Sequence, residues 1–272
     1  MRNAMKAPIL LGLALGLLVA CKKEAPVEGA ASVPDEAAAP VAGSPPQLSD
    51  SVETDPRYVV GVSYPPGINK YPGLAVAVDA YVKRERGELM EALAALGNDA
   101  PRAPYELSMS FQQLLETPEL VAIAGDGSRY TGGAHGDPLV VRMVWLPKQD
   151  KLLSVQDLIA DAQGWTAISR YAREQLRTAV SVRADADEMS PEERQVFVGN
   201  ADKMIDAGTE AEPGNYEQFQ PVLDTQGKIS ALRFVFPPYQ VGPYSDGVQT
   251  VDVPAAVLKP YLAPEYAGLF AL

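Results

Sequence analysis

Between residues 105 and 112 the chain alternates without exception, with Tyr105, Leu107, Met109 and Phe111 apolar and Glu106, Ser108, Ser110 and Gln112 polar. A period of two belongs to a strand with one face on a core and the other in water, which points to antiparallel sheet. Tyr58, Val60, Val62 and Tyr64 repeat the pattern, as do Leu139, Val141, Met143 and Trp145. The run Leu120 to Ala124 meets Asp126-Gly127, a dipeptide typical of two-residue hairpins, so a turn is expected there. Further strands are expected around residues 219–223, 229–236 and 248–253.

Other segments follow the helical period. Leu74, Val78, Tyr81, Leu89, Leu93 and Leu96 recur at three- and four-residue steps and predict an amphipathic helix over 71–96. A second is expected over 165–180, and a short cap-led turn over 155–159, where Ser154 and Asp157 stand three apart. Ser190-Pro191-Glu192-Glu193 combines a cap, a first-turn proline and a capping-box glutamate, and so opens a third helix. Residues 254–261 end the chain's regular structure as a short helix. Helices set between antiparallel strand groups predict an α+β fold of two intimate subdomains, 56–136 and 137–272.

The first 55 residues read differently. Arg2 and Lys6 precede an apolar run from Ala7 to Val19, shorter than the roughly 20 residues a permanent span needs, so residues 1–20 are expected to be a signal peptide. The run ends in Leu18-Val19-Ala20-Cys21, which resembles the bacterial lipobox. That resemblance implies lipidation of Cys21, the only cysteine, and a membrane anchor of several acyl chains. Lys22 rather than aspartate follows, which favours the outer membrane, facing the periplasm. Residues 21–55 are rich in Ala, Pro, Ser, Gly and Glu, lack aromatics, and are expected to form a disordered tether. Removing residues 1–20 takes Arg2 and Lys6 away and shifts the net charge from −12 to −14. So acidic a chain is a poor nucleic-acid binder, and it should stand off from anionic head groups.

Two patches carry a family resemblance. They are Tyr130-Thr131-Gly132-Gly133-Ala134-His135-Gly136 and Pro237-Pro238-Tyr239-Gln240-Val241-Gly242-Pro243-Tyr244-Ser245-Asp246-Gly247. With Leu153 to Leu158 and Phe234-Val235-Phe236 in the expected order, they resemble an extracytoplasmic domain family. Its members include the lysozyme-binding outer domain of RsiV and the accessory region of PdaC. The resemblance spans about residues 57–262. It implies an α+β envelope domain that binds a partner, lysozyme in one member, with cell-wall polysaccharide the context of another. The chain has no cytoplasmic anti-sigma segment and no room for a catalytic deacetylase domain, so neither activity is expected of it.

The two patches also define the candidate ligand-binding residues: Tyr130, Gly132, Gly133, His135, Tyr239, Tyr244 and Asp246. Tyrosine faces suit sugars or protein, with His135 and Asp246 as polar fixers. The competing expectation is structural, His135 tying one loop to the other over capped core tyrosines. Catalysis has thin support. One histidine and one cysteine exclude multi-histidine and cysteine-rich metal centres, no Gly-x-Ser-x-Gly elbow is present, and no cofactor is expected. A glycosidase pair would have to come from Glu106, Glu116, Asp126, Asp137 or Asp246, and no spacing singles out two. Arg170, Arg173 and Arg177 form a basic helix stripe read as a solvated face, and Asp185 to Glu188 as helix-start electrostatics. The expected function is therefore a non-enzymatic envelope lipoprotein that binds a cell-wall glycan or a wall-degrading enzyme such as lysozyme. A peptidoglycan-fragment hydrolase and an assembly scaffold are the alternatives.

Overall fold

A computed structural model describes residues 44–271. The expected signal peptide, Cys21 and most of the expected tether lie outside those residues. The described chain is α+β, built on two sheets with helices packed against them.

The first sheet has six strands in chain order: β1 (Ser51–Asp55), β2 (Tyr58–Ser63), β3 (Tyr105–Glu116), β4 (Val121–Tyr130), β5 (Asp137–Leu146) and β6 (Lys151–Leu153). β1 falls inside the stretch expected as tether; it pairs with β2, and just before it the Leu48 N–H donates to the Asn69 side chain. All pairs are antiparallel except β2–β3, which is parallel. The exception follows from the connection: α1 (Pro72–Ala95) is long enough to carry the chain back to the starting edge, which a tight turn is not. As its spacing predicted, α1 buries Leu74, Val78, Tyr81, Leu89 and Leu93, here against Leu107, Met109, Phe111 and Ile123 of the sheet.

Two expectations fail within this sheet. Asp126-Gly127 is not a turn but lies in the middle of β4, where Gly127 pairs with Met109 on one side and Leu139 on the other. A Cβ on Gly127 would stand 1.9 Å from the Ser108 carbonyl oxygen, so the glycine serves close strand packing. The turns fall at residues 117–120 and 131–136 instead. Nor does the sheet stop at residue 136: β4 and β5 pair from Val121↔Trp145 to Arg129↔Asp137, straight across the expected subdomain boundary. Leu120, Ala122, Val144 and Leu146 face a second core, so this end of the sheet is buried on both sides.

That second core belongs to the strands β7 (Phe219–Leu223), β8 (Ile229–Phe236) and β9 (Gln249–Pro254), in that order. Around them pack α2 (Val155–Leu158), α3 (Ala162–Ala186), α4 (Pro191–Gly208) and α5 (Ala255–Leu258). α2 and α4 both open with the predicted capping boxes, Ser154 with Asp157 and Ser190 with Glu193. α3 is longer than expected because Asp161 caps it three residues early, accepting from the Gln163 N–H. The basic stripe on α3 is not merely solvated. Arg177 bonds Asp202 and Asp206 of α4, and Arg173 donates to the Thr209 hydroxyl, so the two helices are clamped together. Among the described residues no helix is long and apolar enough to cross a membrane.

Tyr216 is fully buried in this core and donates to the Thr209 carbonyl at 2.9 Å. Burial pushes its phenol up to about 12, and that of Tyr81 in the first core likewise to about 12. Below pH 10 folded and unfolded chains hold the same phenolic protons, and stability does not change. Between pH 10 and about 12 the unfolded chain releases protons that the folded chain keeps, so stability should fall as pH rises, by about 1.4 kcal/mol per unit for each phenol. Urea melts at pH 9 and 11.5 would show the fall, and Tyr216→Phe should make it shallower. A pH-independent midpoint over that window would refute the assignment.

Candidate functional site

The β4–β5 hairpin loop and the β8–β9 loop meet at one place on the surface. Gly132 and Gly133 turn the first loop at φ of +104° and +96°, conformations that side-chain-bearing residues avoid. The second loop is pinned from behind. The Gln240 side-chain amide donates to the carbonyls of Gly208 and Asn215, each at 2.9 Å, and Val241 is buried beside it. Gly208 is needed for this seating, since a Cβ there would stand 2.0 Å from the Gln240 carbonyl oxygen.

With Gln240 and Val241 held inward, Tyr239 and Tyr244 project outward, 52% and 40% exposed. His135 from the hairpin stacks on Tyr244 with centroids 4.2 Å apart and planes 16° from parallel. Its Nε2 lies 3.0 Å from the Tyr239 hydroxyl, and its Nδ1 lies 3.1 Å from the Gly136 carbonyl oxygen. A carbonyl only accepts, so Nδ1 carries the proton, and in the neutral ring Nε2 accepts from Tyr239. Tyr239 and Tyr244 close the triangle at 5.7 Å. Tyr239 also sits at φ +75°, a region that costs a bulky residue about 1 kcal/mol or more.

The structural expectation for His135 is met in part, since the tyrosines it contacts are exposed rather than core residues. His135 ties the two loops, and the tie leaves an aromatic surface open to water. The remaining candidates stand apart from the three rings. Tyr130 turns to Tyr105, edge-on at 6.5 Å, and its hydroxyl donates to the Gly133 carbonyl at 3.3 Å, bracing the hairpin. Asp246 is no polar fixer beside the rings; it accepts from Arg183 of α3 at 2.8 Å and anchors the loop. That bond holds the Arg183 guanidinium above its usual pKa, and the same guanidinium stands 5.1 Å over the Phe197 ring. Arg183 and Gly208 carry the site's geometry yet show no pattern in the sequence, because each meets a partner that only tertiary contact brings near.

The carboxylates considered for hydrolysis are mostly engaged with cations. Asp126 pairs with Arg142 at 3.0 Å, and Asp137 approaches Arg129 at 4.0 Å. Glu116 is held below the usual carboxylate range by Lys70 and by Tyr71, the opposite of what a general acid requires. Among the described residues no cluster of three or more His, Cys, Asp or Glu side chains is placed to hold a metal.

Residues 52–137 match the family described as Deacetylase PdaC, and residues 156–256 match the family described as protein of unknown function DUF3298. No curated protein matches the chain. Among solved structures, a DUF3298-family protein of Bacteroides fragilis is 17% identical, with 81% of this chain and 94% of that one covered and a TM-score of 0.47. One of Pseudomonas aeruginosa PAO1 is 15% identical, with 85% and 100% covered and a TM-score of 0.48. The first match ends at the hairpin that carries His135, and the second contains the loop that carries Tyr239 and Tyr244. The chain thus carries a PdaC-like segment followed by a DUF3298-like segment.

Proposed function

We propose that this chain is a non-enzymatic binding module of the bacterial envelope, lipid-anchored through Cys21 at the outer membrane, and that it holds a cell-wall glycan on the Tyr239–His135–Tyr244 surface. The observation that carries the reading is the exposure of three co-oriented rings within 4.2 to 6.2 Å of one another. Such faces would otherwise be buried. The C–H face of a sugar ring is apolar and slightly positive, and it complements the negative face of an aromatic ring. Backbone ties on both loops mean that little ordering entropy remains to be lost on binding.

A second reading is supported by charge. At −14 after removal of residues 1–20, the chain would attract a strongly basic wall-degrading enzyme such as lysozyme. Ionic strength separates the two. With the full chain in detergent, retention on insoluble peptidoglycan is expected to survive 0.5 M salt, whereas capture of lysozyme driven by net charge should be lost there. Absence of binding to both at low salt would overturn the proposal.

A further inference from the structure

Of the three rings on the candidate surface, one is of the type that gains or loses charge between about pH 5 and 8. His135 is the only histidine of the chain, and it is exposed. On its own hairpin, Nδ1 meets the Gly136 carbonyl at 3.1 Å, the Tyr130 hydroxyl goes to Gly133, and Asp137 approaches Arg129. Facing it from the β8–β9 loop are Tyr239 and Tyr244, and the charged group of that loop, Asp246, is taken by Arg183. Among the described residues no carboxylate pairs with the imidazole. A positive charge on His135 would therefore meet only ring faces, one hydroxyl and water.

We infer that His135 sets the charge class of ligand this surface accepts: the neutral ring admits an uncharged sugar face, and protonation releases it. The inference rests on the glycan reading and adds the control of its site. The neutral ring accepts the Tyr239 O–H at Nε2, 3.0 Å away. A proton added there removes the lone pair, so the bond survives only reversed, with Nε2–H donating and the Tyr239 oxygen accepting. Tyr239 is not free to withdraw instead, since its amide donates to the Gly242 carbonyl at 2.9 Å and Gln240 beside it is pinned. The hydroxyl hydrogen then swings to the ligand side, where the neutral state offered an acceptor. The stack changes too. An imidazolium 4.2 Å from the Tyr244 ring engages the negative charge of that ring, the same charge that attracts sugar C–H groups. A ligand lying across the rings would also strip water from an exposed cation, a cost that no neighbouring carboxylate offsets. The stacking and hydration effects both oppose an uncharged ligand.

The test uses the full chain in detergent and the N-acetylglucosamine tetramer, an uncharged probe. By calorimetry its affinity is expected to fall about tenfold between about pH 8 and about pH 5. Linkage demands the converse. Where the free chain is half protonated at His135, added tetramer should move the single histidine NMR signal toward its neutral position. His135→Gln, which cannot take up the charge, should bind more weakly than wild type at the higher pH but equally at the two. Carboxylates elsewhere titrate in both proteins, so a fall that persists in His135→Gln would overturn the assignment to His135. The histidine signal needs no variant, so it decides if His135→Gln binds nothing. Unchanged wild-type affinity across the two pH values would overturn the inference and leave the glycan reading intact; absence of binding at both would overturn both.

Discussion

Gly127→Ala is expected to destabilise the fold by about 3 kcal/mol or more, the largest effect of any single methyl group in the first sheet. The added Cβ would stand 1.9 Å from the Ser108 carbonyl oxygen and 2.7 Å from the Met109 sulfur. The first is backbone, tied into the β3–β4 ladder, and it has no way to yield without breaking the pairing that leads up to the His135 hairpin. Gly133→Ala is the useful contrast. Nothing lies within 4 Å of a Cβ there, and only its positive φ opposes the change, at a cost of about 1–2 kcal/mol. Urea denaturation of both variants checks the order. A Gly127→Ala midpoint close to wild type would mean that the residue sits in a turn after all.

The second large effect concerns binding. Replacing Tyr239 and Tyr244 together with alanine should reduce retention on wall glycan by about two orders of magnitude, since stacked aromatic partners contribute of the order of 1–3 kcal/mol in total beyond surface burial. Both rings are well exposed, so the melting midpoint should shift little. Tyr239 offers a sharper version. Tyr239→Ala and Tyr239→Gly remove the same ring and the same bond to His135, but only glycine relieves the φ of +75°. The glycine variant should therefore be the more stable of the two by about 1 kcal/mol while binding no better. Equal stability of the pair would remove the argument that strain is held there for recognition. Undiminished retention in the double variant would move the site elsewhere.

Local signals were legible where the cause was local. The alternation at 105–112 read β3 correctly, because each side chain's side of the sheet is set by period alone. The capping boxes at Ser154 and Ser190 were legible because both partners lie within four residues. Asp126-Gly127 misled because its turn preference is weak against a continuous ladder with β3 and β5, which glycine alone allows to close. β1 escaped notice for a related reason: Ser51–Asp55 is exposed on both faces and carries no apolar pattern, and only pairing with β2 makes it a strand.

The same division runs through the candidate site. The amino-acid sequence by itself determined the α+β class, the capped starts of α2 and α4 and the two candidate loops, with His135 in one and Tyr239 and Tyr244 in the other. Tertiary structure alone decided that the loops converge across 104 residues of chain, and that Tyr130 and Asp246 turn away from the rings. The physical reason is range. Dihedral preference, capping and periodicity act over a few residues, whereas Gln240 against Gly208 and Arg183 against Asp246 exist only once two cores have packed.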